Sequence, residues 1–298
     1  SEGGGIAEEV FAESDRLANE YCEKGFVNVP SKDRHHFKDM GLAKLFALEN
    51  IRKLLKKLYY KYISREDEEY NAIYSYTRQN LKKLVCRKLL APFYSYPDKR
   101  DKYLYYPLHV PHDFQLFVRS PEFKNQESLI EFLGNSIPYG YKLYVKEHPA
   151  AIGANRFLAT ISYLRNKNVR LIHPKINSHT LIHNSSAVIT VNSKVGVEAI
   201  MQRKPVVVLG SAFYKGQGVT FDVDRLPDLS GTIKKAVGAK VDEDLRKSFL
   251  ARAYESSYAG ELYINDRQNI REFANSLLSF LKKNHLLKNV NTAARTIL

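Results

Sequence analysis

From residue 103 to residue 209 the chain alternates short β-type runs with helical ones, and this alternation restricts the fold more than any other feature of the sequence. The β-type runs cover 103–106, 142–145, 169–172, 187–191 and 206–209, the last closed by Gly210. Between them the pattern predicts helices over 126–133, 156–165, 179–184 and 195–202. Runs this short, rich in Val, Ile and Tyr, are strands rather than buried helices. Strands separated by helices cannot pair through hairpins; crossovers lay them side by side in parallel, with helices over both faces. The expected fold class is α/β, a Rossmann-like parallel sheet within 101–298, closed by helices near 241–257 and 266–283. Ile270, Phe273, Leu277 and Leu281 read as the inner stripe of the second of these.

Residues 1–100 read as a mainly helical region ending in a linker. A helix is predicted over 6–21, with Glu8 and Glu9 in its first turns. Over 44–63, Leu48, Ile51, Leu55, Leu58 and Tyr62 recur at spacings of 3 and 4 and line one helical face. Arg52, Lys53, Lys56, Lys57 and Lys61 occupy much of the remainder. Glu66, Asp67, Glu68 and Glu69 suit the start of a further helix, which runs to about 90 with Leu81, Leu84 and Leu89 inward. Residues 92–102 hold two prolines and a run of charges and read as a polar linker.

The 298 residues carry 46 Lys and Arg against 32 Asp and Glu, a net charge of +14. Such a chain favours an anionic partner: a nucleotide, a nucleic acid, an acidic glycan or a membrane face. No RNP, KH or helix-turn-helix signature supports nucleic acid. Two cysteines, Cys22 and Cys86, make no disulfide framework, and the nine histidines show no metal-ligand spacing with them. That usage suits a reducing, cytoplasmic compartment. No run approaches the ~18 apolar residues of a membrane span. The basic helix over 51–61 is read either as a solvated face or as a dock on an anionic membrane surface, at the inner face of the cell membrane. Its leucines are expected to face protein, so the contact would be electrostatic and without deep insertion.

Ligands of open parallel sheets bind beyond the carboxyl ends of the strands, so the residues just after each run are the candidates. They include His109 after the first run, Lys146, Glu147 and His148 after the second, and His173 after the third. Asn192, Ser193, Lys194 and Gly196 follow the fourth, and Tyr214 follows the fifth. The turn at Asn192 and Ser193 opens a helix, whose first amides suit a phosphate; the same residues are equally suited to capping it. His148 and Lys146 would supply a hydrogen-bond donor and a positive charge to that phosphate, or His148 would simply bond its own loop. Glu198, one turn into the helix, is placed to accept from ribose hydroxyls or to favour the helix dipole. No phosphate loop of the Gly-x-x-x-x-Gly-Lys-Ser/Thr type and no Gly-x-Gly-x-x-Gly follows a strand, so ATPase and nicotinamide readings lose support.

The stretches 106–110, 143–149, 190–199 and 204–214, followed by Gly218-Val219-Thr220, together resemble the bacterial capsule polysaccharide biosynthesis proteins, the Kdo-transferase-like glycosyltransferases. The resemblance implies a GT-B architecture, in which two Rossmann-like domains flank a cleft and the donor nucleotide sits mainly on the C-terminal one. It carries over His148 and Pro149 to the donor phosphate, and Ser193, Gly196 and Glu198 to the donor-binding turn. It further implies a nucleotide-activated sugar, such as a CMP-linked one, as substrate, a glycan or glycolipid acceptor, and no metal or other cofactor. A family member would carry its own N-terminal Rossmann-like domain. Here that domain is expected upstream of Ser1 or in reduced form, and no catalytic base is assigned. Three other readings stay open: polyol-phosphate transfer from a CDP-activated donor, a GT-B-shaped sugar epimerase, and a non-catalytic scaffold that binds nucleotide or membrane.

Overall fold

A computed structural model describes residues 7–25, 48–64, 73–111, 113–260, 264–284 and 286. The acidic run Glu66–Glu69, His112, and the Gly3-Gly4-Gly5 turn expected before the first helix lie outside the described residues. The strands are β1 (Tyr94–Ser95), β2 (Lys102–Pro107), β3 (Tyr141–Lys146), β4 (Val169–Ile172), β5 (Ala187–Thr190), β6 (Val206–Val208) and β7 (Phe221–Asp222). They form one sheet in the order β1-β4-β3-β2-β5-β6-β7, with every neighbouring pair parallel. Six of these strands follow the Rossmann order, and β1 adds an edge beyond β4.

The helices are α1 (Glu8–Lys24), α2 (Leu48–Tyr59), α3 (Ile73–Leu90), α4 (Phe114–Phe117), α5 (Gln126–Ser136), α6 (Phe157–Leu164), α7 (Ser178–Asn184), α8 (Val195–Met201), α9 (Leu229–Gly238), α10 (Glu243–Glu255) and α11 (Arg267–Lys283). Period-2 alternation divides the strands between two cores. Leu104, Tyr106, Leu143, Val145, Leu171 and Ile189 point to one face, where α5, α6 and α9 cover them through Leu133, Tyr163 and Ile233. Tyr103, Tyr105, Tyr144, Val188 and Val208 point to the other, under α1, α7, α8 and α10. There Tyr103 and Tyr144 stack at 4.0 Å, and the Tyr103 hydroxyl donates to the Leu181 carbonyl.

All five predicted strands are present. The two edge strands β1 and β7 are too short to show in the pattern, and β1 falls inside the stretch read as linker. The sheet body also reaches back across residue 100. Ala18 of α1 is buried in the second core, and Arg246 of α10, fully buried, pairs with Asp15 of α1 at 2.7 Å.

Three expected inner stripes are not inner. Leu48, Ile51, Leu55 and Tyr62 are exposed, and Leu58 is only half-buried. Leu81 and Leu89 of α3 are exposed too, and α3 packs instead through Cys86 and Leu90. No residue of α11 is buried. Periodicity marks which face of a helix is apolar; it does not say that the protein itself covers that face.

Candidate functional site

The sheet changes direction between β2 and β5: β3 and β4 extend it one way, β6 and β7 the other. The loops leaving those two strands therefore part, and a crevice forms at their carboxyl ends. His109 and Asn192 hold its two walls together. The Asn192 backbone N–H donates to His109 Nε2 at 3.4 Å. Gln126 grips His109 from behind, accepting from its N–H at 2.8 Å and donating to its carbonyl at 3.1 Å. Burial pushes the His109 pKa down and outweighs Asp113, whose carboxylate lies 3.7 Å from Nδ1. A neutral ring accepting at Nε2 carries its proton on Nδ1, toward Asp113.

Around the crevice, the residues singled out from sequence separate by task. The Asn192 amide nitrogen donates to the Gln115 carbonyl and the Ser120 hydroxyl. The Ser193 hydroxyl accepts from the Val195 N–H, and Lys194 is the N-cap of α8. Tyr214, fully buried, donates to the Ser193 carbonyl at 2.6 Å. Gly196 leaves room for that tyrosine, since a Cβ there would lie 2.3 Å from its ring carbon and hydroxyl. The side chains of Asn192, Ser193 and Tyr214, with the glycine, thus build and brace one turn at the crevice.

His148 is exposed at the same edge, where its Nδ1 accepts from the Ala150 N–H at 3.2 Å. His173 does the same with Lys175, also at 3.2 Å. The repeated His-Pro pair is thereby a repeated turn, in which the ring closes the loop two residues on. Glu147 faces inward. It accepts from the Tyr94 hydroxyl, from the Gly153 N–H at 3.1 Å and from the Asn155 amide at 3.4 Å, tying the loop after β3 to edge strand β1.

Beneath this rim lies a buried polar group that only the fold assembles. Lys146 Nζ donates to the Ser178 hydroxyl at 2.8 Å. Burial pulls its pKa down to about 8, against the charge of nearby Glu198. Burial pushes the Glu198 carboxyl up, with Lys194, Tyr21 and Lys146 opposing it. Glu198 Oε2, His179 Nε2 and the Gln202 amide are buried together, and the buried Tyr21 hydroxyl faces Glu198 and Gln202. Tyr21 comes from α1, and its ring lies 5.4 Å from that of His179. A lysine whose pKa burial pulls down to about 8, a buried carboxylate, and hydroxyl and imidazole groups can hold a phosphate and a vicinal diol. Sequence spacing pointed to Lys146 and Glu198. Tyr21, Ser178, His179 and Gln202 carried no motif, and Tyr21 is 177 residues away from Glu198 in the chain.

A cleft of about 160 Å³ lies elsewhere, lined by Lys204, Pro205, Thr220 and Phe221 among others. It opens at the amino ends of β6 and β7, the end of the sheet away from the crevice. The switch-point crevice is the better candidate, because strand-end loops and helix starts converge there.

The model of the capsule polysaccharide biosynthesis protein family matches residues 30–253. Protein FixF of Sinorhizobium fredii is 28% identical over 157 residues, covering 51% of this chain and 37% of that protein. The capsule polysaccharide export protein KpsS of Escherichia coli is 26% identical over 155 residues, covering 49% of this chain and 39% of that protein. The chain therefore aligns with well under half the length of either relative. Among solved structures, the beta Kdo 2,7 transferase KpsC of Thermosulfurimonas dismutans aligns with 63% of this chain and 54% of its own, at 20% identity and a TM-score of 0.38, which is too low to bear on the site. The family match runs from residue 30, through the whole sheet, into α10, and so the chain belongs to the capsule polysaccharide biosynthesis protein family.

Proposed function

We propose that this chain is a glycosyltransferase of capsule or surface polysaccharide assembly, or the donor-binding half of one in a GT-B arrangement, and that it takes a nucleotide-activated sugar. One observation carries the reading: Lys146 and Glu198 sit together, buried, beside the switch-point crevice of a family member's parallel sheet. In this reading the Lys146 ammonium faces the donor phosphate and Glu198 accepts from ribose hydroxyls. His148 and the Ser193–Lys194 turn border the phosphate from the rim. When the glycosidic bond to the nucleotide breaks, negative charge grows on the departing phosphate, and a cation already fixed there lowers the barrier. A CMP-linked sugar and a glycan or glycolipid acceptor are the substrates this proposal favours, with the protein on the cytoplasmic side.

The test is ligand binding. A thermal-shift screen of CMP, CDP, UDP and GDP should single out one base, with about 2.7 kcal/mol of stabilisation at 100 times the dissociation constant. Binding should weaken as pH rises through about 8, where Lys146 loses its proton, and Lys146→Met should bind weakly at every pH. Folded protein that binds none of the four nucleotides would refute the donor site and leave the scaffold reading.

A further inference from the structure

We propose that α2 is a membrane-interface helix, which lies along an anionic bilayer surface with its apolar face sunk into the acyl boundary. This goes beyond the donor-site reading and stands independently of it. At a helical 100° per residue, Ile51, Leu54, Leu55, Tyr59 and Tyr62 fall on one arc, while Arg52, Lys53, Lys56, Lys57 and Lys61 fill the opposite one. Five cations stand against one acid, Glu49, within 48–64. The helix continues past Tyr59 as a π-helical turn, Tyr60–Ser64, which keeps Tyr62 beside the leucines.

Leu55 is 58% exposed and Tyr62 68% exposed, and Ile51, Leu54 and Tyr59 are exposed as well. A single exposed leucine means little, but a continuous stripe along about three turns marks a surface that something covers. Charge complementarity names the occupant. A lysine-rich border around an apolar stripe matches anionic headgroups above acyl chains, with the tyrosines at the boundary between them. The Lys56 and Lys61 ammonium groups already lie about ring-height from Tyr60 and Tyr62, at 5.6 Å and 5.5 Å. The neighbouring α3 exposes Leu81, Val85 and Leu89 at successive turns and continues the same kind of surface. Among the described residues no helix is long and apolar enough to cross a membrane, so attachment of this kind would run in the plane of the interface.

The chain has no tryptophan, so Leu55→Trp makes a single fluorescent reporter at an exposed site, where folding should be unaffected. Vesicles of phosphatidylcholine containing about one third phosphatidylglycerol should shift its emission to the blue, and brominated acyl chains should quench it. Pure phosphatidylcholine should do neither, and added salt should reverse the binding. Replacing Lys53, Lys56 and Lys57 together by glutamine should weaken vesicle binding on the order of 100-fold. Co-sedimentation without acyl-chain quenching would overturn the inserted geometry. Emission already blue in the free protein, and dependent on protein concentration, would assign the stripe to a second copy of the chain and overturn the proposal as well.

Discussion

Gly196→Ala separates two explanations of the glycine in the turn at the crevice. If the residue is small so that a ligand can approach the backbone, alanine should weaken ligand binding and spare stability. The structure points to packing instead. The new Cβ would meet the Tyr214 ring carbon and hydroxyl at 2.3 Å and a second ring carbon at 2.7 Å, well inside van der Waals contact. Tyr214 is 1% exposed and cannot swing out without surrendering its place in the core. Overpacking of this kind costs about 1–3 kcal/mol. Displacing the ring also breaks the bond from its hydroxyl to the Ser193 carbonyl, worth about 1 kcal/mol. The expected loss is thus about 2–4 kcal/mol, read from the urea midpoint at constant m. Tyr214→Phe should cost about 1 kcal/mol, since it removes the bond alone. Tyr214→Ala should cost about 3–5 kcal/mol, and adding Gly196→Ala to it should cost little more, because the methyl then enters the vacated space. Additivity of the two substitutions within about 0.5 kcal/mol would refute the clash, as would a Gly196→Ala protein of unchanged midpoint and weakened nucleotide affinity.

Two further predictions concern the clasps that hold the site's surroundings. Glu147→Ala strands the Tyr94 hydroxyl and the Gly153 N–H in the interior and should destabilise the fold by at least about 3 kcal/mol in chemical unfolding, while Glu147→Gln, which keeps an acceptor, should cost distinctly less. Asp15→Asn leaves the buried Arg246 guanidinium with Glu243 alone as its charge partner and should cost about 1–2 kcal/mol, the Asp15 carboxylate being a quarter exposed. Burial raises the Asp15 pKa, but the bond and charge of Arg246 outweigh it and hold the group below its ordinary value. The contribution of Asp15 is therefore complete above the ordinary carboxylate range and is lost as pH falls through its lowered pKa, so the two proteins should converge in acid melts.

The alternation of short apolar runs with helical ones was enough to specify an all-parallel, two-faced sheet, because hairpins were excluded by the length of every connection. It was also enough to bring Lys146, Ser193 and Glu198 to one end of that sheet, since Lys146 ends β3, Ser193 follows β5 and Glu198 lies in the first turn of the helix after it. Strand order is another matter. Only long-range pairing set β2 beside β5 and so made the crevice between His109 and Asn192, which are 83 residues apart. The same holds for the polar group under α1: Tyr21 reaches Glu198 because Ala18 and Asp15 dock that helix onto the sheet body, and no local signal announces such docking. Gly196 and the two His-Pro pairs also have packing and turn roles, which become visible only when Tyr214, Ala150 and Lys175 are in place. Helical spacing likewise drew the apolar faces of α2 and α11 correctly and said nothing about what lies against them. An amphipathic pattern records where apolar side chains project, whereas burial depends on which surface the rest of the chain brings opposite.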